Sequence, residues 1–139
     1  MDVKDKIIAI TGVSEGLGRV LCKEYLSKGA RVFACARNID KVSVDFKDHI
    51  EKNLLVVKAD VSNEMEITKF FELGVKFFGG IDVLVNNAGI YGPKGNIDEV
   101  DMADWKYCLE VNLIGSVNAV RHALPIMKNN KKGKIIQLS

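Results

Sequence analysis

This chain is poor in the features that mark several whole classes of protein. Its 139 residues include only three cysteines, two prolines, two histidines and one tryptophan. Cys22, Cys35 and Cys108 are odd in number and far apart, with no CxxC pair and no metal-ligand spacing. That argues against a disulfide framework and for a reducing, cytoplasmic compartment, each thiol serving as a small buried hydrophobe. His49 and His122 stand alone, without a cysteine or carboxylate at ligand spacing, so no metal site is expected. Charge of one sign is scarce too: 20 basic residues against 18 acidic ones leave a formal net charge of +2. Such a balance gives no electrostatic reason to bind nucleic acid or a membrane surface. Lys128, Lys131, Lys132 and Lys134 do cluster, but near a predicted helix end, where the helix dipole already favours cations. No apolar run reaches the length of a membrane span, and the four-residue run Ile7–Ile10 has no cleavage site behind it. Without a linker, repeat or low-complexity tract, residues 1–139 read as a single domain.

What is present is a regular alternation. Apolar runs predict strands at Lys6–Ile10, Arg31–Ala36, Leu54–Val57, Ile81–Val85 and Lys134–Leu138. Between them lie helical patterns. Leu17–Lys28 places Leu17, Val20, Leu21, Tyr25 and Leu26 on one stripe, closed by Gly29. Ile39–Glu51 is a weaker, β-branched helix. A third helix starts with Ser62 or Asn63 as cap, has Glu66 nearby and runs to Phe78 before Gly79-Gly80. Asp101 caps a long helix through Trp105, Leu109, Leu113, Val117 and Val120, with Pro125 able to kink its far end. Strand and helix in strict succession predict an α/β fold, a doubly wound parallel sheet with helices on both faces. Trp105 and Phe77-Phe78 read as core or interface anchors, and His122 as a residue on the surface or interface of the long helix.

The first strand runs straight into Thr11-Gly12-Val13-Ser14-Glu15-Gly16-Leu17-Gly18 and then into a helix. Glycines at such a junction can also be a plain tight turn, but strand and helix flank them on the sides a phosphate cradle requires. Gly12 makes the sharp turn. Gly16 lets backbone approach a pyrophosphate. Gly18 lets the helix pack close, and N–H groups near Leu17 then point at the phosphates. A carboxylate about 20 positions on would hold the ribose hydroxyls of NAD. That place is taken by Ala36, followed by Arg37. A guanidinium suits the extra phosphate of NADP, so NADP is favoured, with NAD as the other possibility. Glu15 pulls mildly the other way, and the plainer, less favoured reading of Arg37 is a solvated strand end.

Four stations now stand in order: Thr11-Gly12 to Gly18, Asp60-Val61, Asn86-Asn87-Ala88-Gly89, and Val111-Asn112-Leu113-Ile114-Gly115. Together they resemble the short-chain dehydrogenase/reductase family, Rossmann-type oxidoreductases, over the whole chain. The resemblance implies strand order 3-2-1-4-5 and NADP-dependent hydride transfer between carbonyl and alcohol on a small-molecule substrate. It implies that Asp60 contacts the adenine amino group with Val61 beside the ring. Asn86, Asn87, Ala88 and Gly89 would support the sheet and border the cofactor, together with Thr11, Ser14 and Glu15 of the turn. Asn112 would hold a water in a proton relay, and its apolar flanks suggest a buried position. Ser139 would be the substrate-orienting serine or its neighbour. Each has a plainer reading beside it: a helix cap for Asp60, a small-residue turn for Asn86–Gly89, an ordinary helix residue for Asn112. Tyr91, just beyond that turn, is a candidate for the border of a substrate cleft.

One family feature has no counterpart. A tyrosine with a lysine four positions later normally supplies the proton, since a phenol near its free pKa of about 10 needs a nearby cation to act at neutral pH. Tyr25 is followed at that spacing by Gly29, Tyr91 by Gly95 and Tyr107 by Val111. The resemblance therefore implies a cofactor-binding half, ending after the fifth strand and inactive by itself. The alternative is a non-catalytic dinucleotide-binding or partner-binding module. In the family the long helix from Asp101 commonly mediates homo-oligomers.

Overall fold

The computed structural model describes residues 1–139. Five strands, β1 (Ile7–Thr11), β2 (Arg31–Ala36), β3 (Leu54–Lys58), β4 (Val83–Asn86) and β5 (Lys134–Gln137), form one sheet in the order β3-β2-β1-β4-β5. Every pairing is parallel, with Ile7 opposite Arg31 and Ile8 opposite Val83 at the centre. The helices are α1 (Gly16–Ser27), α2 (Asp40–Asp45), α3 (Glu64–Phe78), α4 (Met102–Leu109) and α5 (Gly115–Asn129). One wider π turn, Glu110–Ile114, joins α4 to α5. This is the doubly wound parallel sheet that the alternation predicts.

Side chains of a strand alternate between faces, and both faces are covered over β1, β2 and β4, while the edge strand β5 is largely exposed. Ile8, Ile10, Val32 and Ala34 pack with Cys22 and Leu26 of α1, with Val42 of α2 and with Phe46 at its end. Their neighbours Ile7, Ala9, Phe33 and Cys35 pack on the other side with Ile67, Phe70 and Phe71 of α3 and Ala119, Ala123 and Met127 of α5. Phe33 anchors this second layer, with ring centroids 5.1 Å from Phe70 and 6.1 Å from Phe71. It fits because Gly74 has no side chain: a Cβ there would run into the Phe33 ring.

The helix ends follow their sequence signals. Asn63, one of the two caps expected, accepts the Glu66 N–H at 3.2 Å. Gly79 closes α3 at φ 91°, and Gly29 follows α1 at φ 79°. Asp101 caps α4 by accepting the Ala103 N–H at 2.8 Å.

Several local expectations need correction. Leu17 and Val20 are exposed, at 55% and 63%. The rest of the expected stripe holds, with Leu26 buried and Leu21 and Tyr25 packed against the core, and Gly18 and Cys22 complete the inward face, small enough to let the helix sit close to the sheet. The second helix is one short segment, Asp40–Asp45, rather than one reaching Glu51. The expected single long helix is divided by the π turn, and its apolar residues do not all face inward. Leu109, Leu113 and Ile114 are exposed, and so is Asn112. Val111, Gly115, Asn118, Ala119 and Ala123 are buried instead. Close approach again decides: a Cβ on Gly115 would lie 2.7 Å from Val61. His122 is half-buried between α5 and α3, stacked on Phe71 and 3.0 Å from the Thr68 hydroxyl. No helix is long and apolar enough to cross a membrane.

Candidate functional site

Sequence order reverses between β1 and β4, and open α/β sheets form a crevice at the carboxyl ends of such strands. The residues that leave β1 and β4 are locked together there. The Thr11 hydroxyl accepts N–H bonds from Asn87 and Ala88, each at 3.1 Å. The Asn87 amide reaches back and donates to Thr11 O at 3.1 Å and to Gly12 O at 2.7 Å. One side chain from each strand end thus fixes the backbone of the other. Gly12 is left-handed at φ 77°, and a Cβ on it would stand 2.8 Å from Ala88 Cα. Gly18 has no room either, its Cβ position being filled by Gly12 O and the Asn87 amide. Gly16 differs: at φ 59° it has no neighbouring atom within 4 Å, so its surface is open.

Above this turn lies a cleft of about 710 Å³, within the usual range for small-molecule and cofactor sites. Of the residues singled out in the sequence, Gly12, Ser14, Glu15, Gly16, Leu17, Arg37, Asp60, Val61, Asn87, Ala88, Gly89, Asn112 and Ser139 line it. Thr11, Gly18 and Asn86 do not; they stand behind the lining and hold it. Asn86 donates from Nδ2 to Ser116 O at 3.2 Å and to Gln137 Oε1 at 3.1 Å, tying β4 to α5 and β5. Tyr91, 92% exposed, is on the wall. Sequence reasoning gave no place on the cleft wall to Cys35, Ala36, Ala59, Ile90, Val111, Gln137 and Leu138, which also line it. All but Val111 are strand-end or adjoining loop residues, so the crevice rule itself was the signal that could have found them.

The charges of the cleft are the helix α1 N-terminus, the Arg37 cation and the carboxylates of Glu15 and Asp60. Unlike α3 and α4, helix α1 has no side-chain cap: Glu15 is extended at its N-terminus and makes no capping hydrogen bond. No acidic residue lies in the first turn either. The first N–H groups of the helix therefore lack side-chain partners, and the helix dipole adds partial positive charge there. This arrangement, with open Gly16 beside it, fits a pyrophosphate. Arg37 lies at the end of β2, exposed, and enters no ion pair. Asp60 is held in place: its Oδ1 accepts from the Ser62 N–H at 2.9 Å and the Ser62 hydroxyl at 2.6 Å. Asn63, not Asp60, caps α3. Cys35 is on the cleft wall, but burial pushes its thiol up to about 12, so it is no thiolate nucleophile at neutral pH.

Asn112 is exposed yet fully engaged. Its Oδ1 accepts the Ile90 N–H and its Nδ2 donates to Ile90 O, both at 2.8 Å. A single amide thus pins the loop after β4 to the π turn. Ser139 lies on the cleft wall at the end of β5.

Comparison with known proteins places the chain in a family. The sequence model of the short chain dehydrogenase family matches residues 6–139. An NADPH-dependent pterin aldehyde reductase of Arabidopsis thaliana is 33% identical over 138 residues, covering 99% of this chain and 57% of that protein. An 11-beta-hydroxysteroid dehydrogenase A of Sesamum indicum is 33% identical over 141 residues, covering 99% and 40%. The crystal structure of a short-chain dehydrogenase from Streptomyces avermitilis superposes with a TM-score of 0.86 at 24% identity, over 95% of this chain and 48% of that one. That likeness bears on the fold. The chain spans about half the length of the curated relatives it matches. It belongs to the short-chain dehydrogenase family, whose members are NAD(P)-binding oxidoreductases.

Proposed function

We propose that this member of the family is the cofactor-binding half of an NADP-dependent oxidoreductase acting on a small carbonyl or alcohol. The observation that carries the reading is a pairing within one cleft: the uncapped start of α1 at open Gly16, and the unpaired Arg37 at the end of β2. The first would grip the pyrophosphate common to both dinucleotides. The second would take a 2′-phosphate bidentately, where a carboxylate would repel it. Asp60 and Val61 would meet the adenine, and Asn87, Ala88 and Gly89 the middle of the dinucleotide. The relative from Arabidopsis thaliana is named for NADPH dependence, which supports the same choice. When bound, the dinucleotide supplies or receives hydride. This chain's part is to bind and orient it, and Asn112 and Ser139, also on the cleft wall, would face the substrate. The three unpaired cysteines fit a cytoplasmic setting.

Arg37→Ala should weaken NADPH binding by a larger factor than NADH binding, read by titration of the folded chain. Equal losses would refute the choice of NADP. No tyrosine here has a lysine four positions on, so the 139-residue polypeptide should not oxidise NADPH with a carbonyl substrate. Turnover at an enzymatic rate would overturn that.

A second reading, a non-catalytic dinucleotide-binding or partner-binding module, is favoured by one surface. Leu109, Leu113, Ile114, Val117 and Leu124 leave apolar area exposed along α4 and α5. The same surface would serve a homo-oligomer, and the sedimentation mass of the chain tests that. A tyrosine and lysine at the family spacing in the coding sequence beyond Ser139 would decide for the enzyme, and a stop codon there for the module.

A further inference from the structure

Arg37 does not hang free at the end of β2. Its Nη1 donates to the Tyr107 hydroxyl at 2.9 Å, across seventy positions of sequence. The same hydroxyl is 3.5 Å from Asp60 Oδ2 and donates to it. A phenol has one proton. With that proton directed at Asp60, the oxygen lone pairs are left for Arg37, so the chain of bonds runs in one sense from Arg37 through Tyr107 to Asp60. Asp60 is itself fixed by Ser62 and by its own N–H, which donates to Glu66 Oε2 at 2.6 Å. The anchor at the far end is therefore rigid.

Two details separate this from a chance surface contact. Arg37 and Asp60 line the cleft and Tyr107 does not: from outside, the phenol ties Arg37 to Asp60, which Ser62 and Glu66 fix without its help. And Tyr107 is neutral, so it orients the guanidinium without neutralising it. Arg37 has no carboxylate partner and keeps its full charge and four more N–H donors for an anion. An acidic residue in the place of Tyr107 would have used up that charge.

We infer that Tyr107 is a positioning residue for Arg37, holding the guanidinium ready for the 2′-phosphate of the adenosine ribose. The inference rests on the NADP reading and goes further by assigning a role to a side chain of α4. Ordering a long, flexible cation before binding removes part of the entropy that an anion would otherwise lose in capturing it.

The test uses this chain as wild type, Arg37→Ala, Tyr107→Phe and the double variant, titrated calorimetrically with 2′,5′-ADP and with 5′-AMP. Tyr107→Phe keeps the ring and removes only the hydroxyl. It should weaken 2′,5′-ADP by roughly threefold to tenfold, the worth of one hydrogen bond. It should leave 5′-AMP unchanged and add nothing in the Arg37→Ala background. A residue that merely packs would weaken both fragments alike, which would overturn the inference. So would an unchanged affinity, or tighter binding, which would make the phenol an obstruction. The two levels separate cleanly. If Arg37→Ala discriminates between the fragments and Tyr107→Phe does not, the role of Tyr107 falls alone. If Arg37→Ala does not discriminate, or wild type binds neither fragment, the NADP reading falls with it.

Discussion

Asn87→Ala removes the clamp on the glycine turn and little else. Its Nδ2 makes two hydrogen bonds, to Thr11 O at 3.1 Å and to Gly12 O at 2.7 Å, while its backbone N–H bond to the Thr11 hydroxyl survives the substitution. Each lost bond contributes about 0.5–1.5 kcal/mol net, so the pair is worth about 1–3 kcal/mol. For a chain of this size that lowers the thermal midpoint by roughly 3–5 °C per kcal/mol, or some 6–10 °C at the centre of the range. Asn87→Asp should be worse than alanine, because a carboxylate would face the same two carbonyl oxygens with no proton to offer. The functional signature is more specific than the melt. A loosened turn no longer aims the α1 N–H groups at the pyrophosphate, which NADH and NADPH share, so both affinities should fall by the same factor. Differential scanning calorimetry and titration with each dinucleotide read the two effects. An unchanged midpoint with unchanged affinities would refute the clamp. A loss confined to NADPH would show that Asn87 acts elsewhere than on the turn.

Two further outcomes concern the scaffold. Burial alone would raise the Asp82 carboxyl, but the Ile7 N–H at 2.9 Å, Lys132 at 3.0 Å and the charge of Lys6 outweigh it and hold Asp82 below its ordinary value. A carboxyl lowered on folding stabilises above its unfolded pKa of about 3.9 and ceases to as pH falls through its folded value. Denaturant midpoints should thus drop more steeply below about pH 4 in wild type than in Asp82→Asn; parallel acid limbs would refute it. Gly74→Ala puts a Cβ into the Phe33 ring, and should cost about 1–3 kcal/mol by overpacking while leaving dinucleotide affinity unchanged. A stability equal to wild type, measured by urea unfolding, would show that α3 can move away freely.

The sheet was legible because its signal is redundant. Each strand is an apolar run between turn residues, and a parallel sheet covered on both faces needs nothing else. The glycine turn was legible for a related reason: Gly12, Gly16 and Gly18 have backbone jobs that no other residue does as well, and such jobs leave a fixed spacing. Counting 20 positions from Gly16 reached Ala36 and, one residue further, Arg37, which the structure brings onto the cleft wall. What failed was the inference of burial from apolar neighbours. Leu17, Val20, Leu113 and Ile114 are apolar and exposed, because α1 and α5 press their small residues against the sheet. Asn112 went the same way: exposed, yet held by Ile90. The meeting of Arg37 with Tyr107 had no sequence signal, since helix phase does not say which distant strand end a tyrosine reaches. The reciprocal locking of Thr11 and Asn87 was equally invisible, being a contact between two loops far apart in the chain.

On the proposed reading, the first turn of α1 grips a pyrophosphate. Amide-resolved NMR of the chain during titration with NADPH tests it most directly. Saturable shifts should concentrate at Ser14–Gly18, with further changes at Arg37, Asp60 and Val61. A folded sample whose amide signals stay still, or move only on a surface away from the glycine turn, would contradict it.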